Sequence, residues 1–200
     1  MARFSVGSIF SDNMVLQRRK NVVLWGEGAD DRTITVAFGR EAYWGKVVGE
    51  KWQVMLPPHE YGGDFRLSVD DGHETVAFEN VVFGEVWLAG GQSNMELSLL
   101  DSADGEKAVK EADDRWLRLY ATPKHAVIGE ELLREERENT WKVCTPETAG
   151  AFSAVAFYCA KRLRDALDVP VGLIGCYWGG TSISCWMDEA VLTKSKAGQQ

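Results

Sequence analysis

The chain has 200 residues, of which 45% are hydrophobic and 26% are charged, and its formal net charge at pH 7 is −8. These proportions are typical of a folded protein, and the length allows one or two domains with a sizeable core. Because no basic cluster offsets the negative charge, we expect no nucleic-acid partner. No apolar run approaches the ~20 residues that a membrane span needs, so we expect no membrane association.

The sequence has no signature of a metal site, a cofactor site or a targeting segment. The four cysteines form no Cys-x-x-Cys pair, and we expect free thiols, with Cys159 on the apolar face of a helix and Cys176 in a buried strand. Gly26 and Gly28 lack the third glycine of a dinucleotide site, and no phosphate-binding loop is present. Because no basic stretch followed by a long apolar one begins the chain, we expect no signal peptide and a cytoplasmic protein.

Residues 1–83 are predicted to form an antiparallel β-sandwich domain of jelly-roll type. Segments 33–38 and 65–69 alternate between apolar and polar residues, as half-buried strands do. The pair Asp71-Gly72 suits a two-residue hairpin loop. The predicted strands are 4–10, 22–26, 33–38, 42–48, 52–56, 65–69 and 74–78.

From residue 84 to residue 200, strands and helices alternate, which predicts a parallel sheet with helices packed on it. The predicted elements are a strand at 86–89, a helix from about 95, a strand at 117–120, a helix at 152–167, a strand at 171–177 and a helix from about 184. The charged segment 129–140 is interpreted as a solvated loop or a frayed helix. The helix 152–167 has an apolar stripe, which consists of Phe152, Val155, Ala156, Cys159, Leu163, Ala166 and Leu167.

The segment 84–96, GEVWLAGGQSNME, combines an apolar strand, two glycines, a serine between two amides and the start of a helix. Glycines permit a sharp turn, and unpaired N–H groups at the start of a helix favour negative charge. Such a corner can present Ser93 as a nucleophile and supply an N–H group to an oxyanion. The alternative is an ordinary strand–turn–helix corner that Ser93 caps. Met95 stands where the Gly-x-Ser-x-Gly elbow of α/β-hydrolases has its second glycine.

Three segments, in the expected order, resemble one family of enzymes. The run GQSNME after EVWL (85–96) looks like the nucleophile block of SGNH-type carbohydrate esterases, in particular the sialate O-acetylesterase family. The run VPVGLIGCYWGGTSI (169–183) is similar to the family's second block, and FSDNMVLQ (10–17) to the opening of its leading β-domain. The resemblance spans nearly the whole chain and implies that residues 84–200 belong to a three-layer α/β domain of SGNH-hydrolase type.

The resemblance implies a serine esterase that removes O-acetyl groups from sialic acid or acetylated plant glycans, without a cofactor or a metal. Ser93 is then the nucleophile, and the oxyanion hole uses the N–H groups of Ser93 and Gly180, with Gly179 as the alternate. Gln92 and Asn94 would orient the loop or touch the substrate, although either could equally stabilise the turn. Both turns follow predicted parallel strands, so we expect them to meet at one edge of the sheet.

The chain offers no clear base for this serine. In the family the acid–base pair follows the nucleophile, whereas Asp70 and His73 precede it, in a hairpin of the β-domain. His59 and His125 lie near prolines and are expected at the surface. The family's aromatic-Gln-Gly-Glu block is absent, and three predicted strands are fewer than the usual ~5–6. We therefore expect an N-terminal part of a longer enzyme, with an incomplete α/β domain whose uncovered sheet edge promotes self-association.

Two other classes of function stay open from the residues alone. A non-catalytic carbohydrate-binding or interaction protein could keep this fold, and the eight tryptophans suit sugar stacking as well as core packing. A serine hydrolase for lipids or peptides has less support, because no long apolar stripe lies beside Ser93. An Asp/His pair further along the reading frame would distinguish the esterase from the binding protein.

We predict that residues 1–200 alone hydrolyse a chromogenic acetate ester far more slowly than the longer enzyme. Without a base Ser93 keeps its proton at neutral pH and is a weak nucleophile. Serine hydrolases that lose a triad member retain roughly 10³–10⁴-fold catalysis over water, and part of the oxyanion hole is expected elsewhere. Initial rates at equal protein concentration test this, and comparable turnover would mean that one of the three histidines reaches Ser93.

Overall fold

The computed structural model of the protein describes residues 3–194. The strands are β1 (Ser5–Val6), β2 (Val15–Gln17), β3 (Val22–Glu27), β4 (Thr33–Phe38), β5 (Glu41–Lys46), β6 (Lys51–Leu56), β7 (Gly62–Asp70), β8 (Thr75–Gly91), β9 (Asp114–Ala121), β10 (Lys142–Cys144) and β11 (Val171–Tyr177). The helices are α1 (Ser93–Glu96), α2 (Gly105–Lys110), α3 (Glu130–Glu138), α4 (Pro146–Ala149), α5 (Ala154–Leu167) and α6 (Glu189–Leu192), with a 3₁₀ turn at Ile183–Trp186.

The described strands form two sheets, and the 17-residue strand β8 runs through the larger one. The smaller sheet has the order β1-β3-β6, and the larger has the order β10-β9-β11-β8-β7-β4-β5, with β2 beside β8. The first part of β8 pairs antiparallel with β7, and residues 85–91 pair parallel with β11. The predicted division between residues 83 and 84 falls inside this strand, and the assignment of two domains stays a prediction.

Antiparallel strands around one core form the predicted β-sandwich, which is confirmed. Strand β3 lies between β1 and β6, and β4 lies between β5 and β7. Fully buried side chains such as Leu24, Val36 and Leu67 fill the core between them. The indole N–H of buried Trp52 donates to the carbonyls of Ser5 and Glu27, at 3.2 and 3.1 Å, and so joins the edges of the smaller sheet. Strand β2, with three residues, is too short for its alternation to be recognised in the sequence.

The strands β9, β11 and β8 are parallel neighbours, as predicted, and α5 packs on one face of them. Helix α5 begins at a cap in which the Ser153 hydroxyl accepts the N–H of Ala156 at 3.2 Å. A fourth strand, the short antiparallel β10, pairs with the outer edge of β9 and exceeds the predicted count of three. The mixed α/β architecture is thus confirmed, and it leaves the carboxyl ends of three parallel strands at one edge.

The predicted apolar stripe is wrong in part, because Val155, Cys159, Ala166 and Leu167 are exposed. The residues of α5 that are buried are Ala154, Ala156, Phe157 and Ala160. Alanine has little apolar surface and contributes weakly to a hydrophobic pattern, yet its small side chain lets a helix lie close to a sheet. Cys176 is also only partly buried in β11, where a buried position was expected.

Three helical segments differ in length from the prediction. The helix expected from residue 95 is the single turn α1, because the backbone leaves the helical region at Leu97. The segment near residue 184 is a 3₁₀ turn, and most of the charged segment 129–140 forms the exposed helix α3. Among residues 3–194, no helix has the length and apolar character to cross a membrane.

Arg118 is the buried charge that we predict to be dispensable for stability. It is 1% exposed, only its Nη2 donates a hydrogen bond within residues 3–194 (to Asn80 Oδ1, 3.2 Å), and burial lowers the pKa of the guanidinium. Arg118→Met should leave the free energy of unfolding unchanged or raise it by about 1–4 kcal/mol, measured by urea unfolding. Arg162→Met, at an exposed arginine of α5 with no hydrogen-bond or ion-pair partner among residues 3–194, is the control and should stay within about 0.5 kcal/mol of the parent. A loss above about 1 kcal/mol in Arg118→Met would contradict the prediction.

Candidate active site

Ser93 lies in an exposed turn at the carboxyl end of β8. The turn needs glycine at position 91, where φ is 153° and an added Cβ would lie 3.1 Å from the Cβ of Met95. Gln92, Ser93 and Asn94 are all exposed, and within residues 3–194 the Ser93 hydroxyl makes no hydrogen bond. A hydroxyl that is held in place by its backbone but not by a partner is open to a ligand.

The turn after β11 lies directly against the Ser93 turn. The N–H of Trp178 donates to the carbonyl of Gly91 at 3.0 Å, which extends the pairing of β11 with β8 past the end of both strands. A Cβ placed on Gly179 would lie 3.6 Å from the Cα of Ser93, so the two backbones approach closely. The next residue, Gly180, has φ of 78° and is exposed. The two turns thus meet at one edge of the sheet.

The carboxylate of Glu96 connects the two turns. One oxygen accepts the N–H of Gly179, and the other accepts a hydrogen bond from the ammonium of Lys124, which follows β9. The hydrogen bonds from Lys124 and then from Gly179 hold the pKa of Glu96 below its usual value. Neither side chain is predicted from the sequence. The available signal was the position of Glu96, one helical turn after Ser93, but spacing alone does not identify its partner across the sheet.

A small cluster around Tyr177 contacts Met95 and Lys124, next to the Ser93 turn. The backbone N–H of Ser153 donates to the hydroxyl of Tyr177 at 3.2 Å, and the Ser153 hydroxyl lies 3.4 Å from the sulfur of Met95. The Lys124 ammonium sits 5.0 Å from the centre of the Tyr177 ring, a cation–π contact. Burial raises the pKa of the Tyr177 phenol, so it stays neutral at neutral pH. The start of α5, at Ser153, and the end of β11, at Tyr177, therefore pack against the segment that carries Ser93 and Met95.

Two backbone N–H groups beside Ser93 are available to an oxyanion. Within the described residues, the N–H groups of Ser93 and Gly180 donate to no acceptor, whereas that of Gly179 is occupied by Glu96. Because α1 has only one turn, the contribution of a helix dipole is small, and stabilisation would come from individual N–H donors. The roles of Ser93, Gly179 and Gly180 in an oxyanion hole stay predictions.

None of the histidines is bonded to Ser93 within residues 3–194. His59 packs against the rings of Phe38 and Phe83 in the β-sandwich. His73 is exposed in the hairpin between β7 and β8, where its backbone N–H donates to Asp71 at 2.9 Å. His125 follows β9, and its Nε2 lies 3.0 Å from a carboxylate oxygen of Glu135 in α3. The histidines therefore have other local environments, and the base stays unassigned.

The described part of the chain contains no group of three or more His, Cys, Asp or Glu side chains that could hold a metal ion. The four cysteines are free thiols; Cys144 is buried, and burial raises its pKa to about 11. A thiol with this pKa is not reactive at neutral pH.

Comparisons with known proteins give two kinds of relative, although no family model matches the chain. The chain is 34% identical over 203 residues to the sialate O-acetylesterase of Pongo abelii and 33% identical over 203 residues to that of Homo sapiens; each alignment covers 92% of this chain and 38% of the relative. The crystal structure of a carbohydrate acetylesterase from Xanthomonas citri matches with a TM-score of 0.85 and 34% identity, covering 98% of this chain and 44% of that one.

The chain spans less than half the length of these relatives. Within that span the similarity is continuous in sequence and in three dimensions, and it is not limited to one motif. A merely local likeness at the Ser93 turn does not account for agreement of this extent. Over this span the chain is similar to the sialate O-acetylesterases in sequence, and its fold matches that of a carbohydrate acetylesterase.

Proposed function

We propose that the protein is a carbohydrate O-acetylesterase with Ser93 as its nucleophile. The observation that carries the proposal is the approach of two turns from neighbouring parallel strands, in which a Cβ on Gly179 would lie 3.6 Å from the Cα of Ser93. In open α/β sheets, ligands bind at this carboxyl edge. The names of the relatives support an acetylated carbohydrate as the class of substrate.

In the proposed reaction, the Ser93 oxygen attacks the carbonyl carbon of an acetyl ester, and its proton passes to a base. The N–H groups of Ser93 and Gly180 stabilise the tetrahedral oxyanion, which costs the enzyme no reorganisation because backbone donors are fixed. The C–O bond to the sugar then breaks, the sugar leaves as an alcohol with a proton, and an acetyl-enzyme remains. Water hydrolyses that ester, which releases acetate and regenerates the serine.

The base belongs to an Asp/His pair that we propose to lie outside residues 1–200. None of the three histidines is bonded to Ser93 among residues 3–194, and the relatives are more than twice as long as the aligned part. The Ser93 hydroxyl is exposed and has no hydrogen-bond partner within residues 3–194, so a histidine from another part of the protein could bond to it. The length of the relatives provides the chain that could supply it.

Two tryptophans beside the Gly179–Gly180 turn suit a sugar ligand. Trp178 and Trp186 are 36% and 40% exposed, and the indole N–H of Trp186 donates to the Thr181 hydroxyl at 2.9 Å, which fixes the ring. Flat aromatic faces stack on the apolar faces of sugar rings. We propose sialic acid or an acetylated plant glycan as the acetylated sugar, and the two remain equal candidates.

A second candidate function is carbohydrate binding without catalysis. The observation that favours it is that no base contacts Ser93 within the described residues. The two functions differ in their response to a change at the serine: loss of the hydroxyl abolishes turnover by an esterase but has little effect on sugar affinity in a binding protein.

We predict that Ser93→Ala in the complete protein lowers the rate of acetate release by roughly 10⁴-fold or more, because the nucleophile is lost. The thermal midpoint should be nearly unchanged, since the side chain is exposed and has no partner within residues 3–194. Ser184→Ala, at an exposed serine of the 3₁₀ turn, is the matched control and should retain activity within about twofold. Wild-type activity in Ser93→Ala would end the assignment.

We also propose that residues 1–200 self-associate through one edge of β8. This is the edge that pairs with β2 up to Gly84, opposite the edge that pairs with β11. Among residues 3–194 no strand pairs with this edge beyond Gly84, and Trp87 and Leu88 are 49% and 69% exposed. An unpaired apolar strand edge is a template for pairing with another chain. Sedimentation velocity should show a concentration-dependent dimer or larger species, and Leu88→Lys should shift the population to monomer. A sharp monomer peak for the parent at every concentration would contradict this.

A further inference from the structure

We propose that Glu96 is a positioning residue that holds the two turns of the active site in register. The inference rests on the proposed function and concerns the same site. Three segments meet at this carboxylate: α1, which begins with Ser93; the segment after β9, which carries Lys124; and the turn after β11, which carries Gly179. No other side chain of the described residues hydrogen-bonds to both of the segments after β9 and β11.

The contact with Gly179 decides which backbone donor faces a substrate. The Gly179 N–H points to a Glu96 oxygen, so it is occupied before any oxyanion forms. The neighbouring N–H of Gly180 donates to no acceptor within residues 3–194 and is exposed. Glu96 therefore fixes the orientation of the Trp178–Gly179 peptide and occupies its N–H group. This leaves the N–H of Gly180, and not that of Gly179, as the donor to an oxyanion.

The contact also explains why a glycine occupies position 179. A Cβ there would lie 2.6 Å from the Glu96 oxygen, closer than a real Cβ contact, and the carboxylate would have to move away. The backbone at Gly179 has no positive φ and a Cβ would make only ordinary contact with the Ser93 backbone, so a side chain at this position would conflict with the Glu96 carboxylate alone. The small residue and the acid are thus parts of one arrangement.

Lys124 makes a carboxylate tolerable so close to a developing oxyanion. A negative charge one helical turn from Ser93 would oppose the negative charge of the tetrahedral intermediate. The Lys124 ammonium is bonded to the same carboxylate and offsets it, and the third titratable group that faces Glu96, Tyr177, is neutral. Glu96 and Lys124 together therefore hold the Gly179 N–H in place while adding little net charge to the site.

Kinetics of three variants in the full-length protein test this role. Glu96→Ala should lower kcat about 10- to 100-fold, the loss expected when reacting groups are misplaced by about 1 Å, with KM within about twofold. Glu96→Gln keeps an oxygen for the Gly179 N–H and should recover most of the loss. Lys124→Met leaves that hydrogen bond but uncovers the charge, and should cost about tenfold or less.

A second measurement follows the hydrogen bond itself, independent of turnover. The amide proton of Gly179 should titrate with Glu96 at a pH below the usual carboxyl value of 4.5. This titration should vanish in Glu96→Gln, and its midpoint should rise in Lys124→Met, because removal of the ammonium relieves the depression of the Glu96 pKa. The amide of Gly72, which donates to Asp70 at 2.8 Å, is an internal control that should not change in any variant.

The outcomes separate the two proposals. Full kcat in Glu96→Ala, with Ser93→Ala inactive, would overturn the positioning role and leave the esterase in place. An equal loss of kcat in Glu96→Gln and Glu96→Ala, or a Gly179 amide that does not titrate, would also overturn it. Activity in Ser93→Ala would instead refute the proposed function, while the amide titration would still report whether Glu96 binds Gly179.

Discussion

The hydrogen-bonded pairing of β8 with β7 and then with β11 is the constraint on which the rest of the structure depends. Its first part pairs antiparallel with β7 and closes the sandwich, and its last part pairs parallel with β11. Because β8 is one continuous strand of 17 residues, the register of its first part fixes the register of its last part. Because residues alternate faces along a strand, a shift by one residue would exchange buried Phe78 for exposed Glu79 and displace the Ser93 turn.

The geometry of the candidate active site follows from that register. Parallel pairing of β8 with β11 places the ends of both strands at the same level, and the hydrogen bond from Trp178 to Gly91 continues the pairing into the turns. What the sheet cannot fix is the orientation of the individual peptides in those turns. Glu96 supplies that by a charged hydrogen bond to Gly179, and Lys124 offsets its charge. The sheet thus sets the distance between the two turns, and the Glu96 carboxylate sets the orientation of the peptide that it binds.

Much of this was accessible from the sequence because it depends on local pattern. Alternation identified strands such as β4 and β7, and the alternation of strands with helices identified the parallel sheet. The Ser93 turn was marked by glycines and by its resemblance to a known family. The buried face of α5 was not predicted fully, since it is lined by alanines such as Ala156 and Ala160, whose hydrophobic signal is weak. The role of Glu96 depends on contacts between distant segments, which no local pattern contains.

The most direct test of the central claim is to trap the acetyl-enzyme. The full-length protein would be mixed with excess acetate ester, quenched in acid during the first turnovers, digested, and its peptides analysed by mass spectrometry. The account predicts one added acetyl group on the peptide that contains Ser93, formed in a burst before steady turnover. Steady acetate release with no acetyl group on that peptide, or with the acetyl group on another residue, would contradict it.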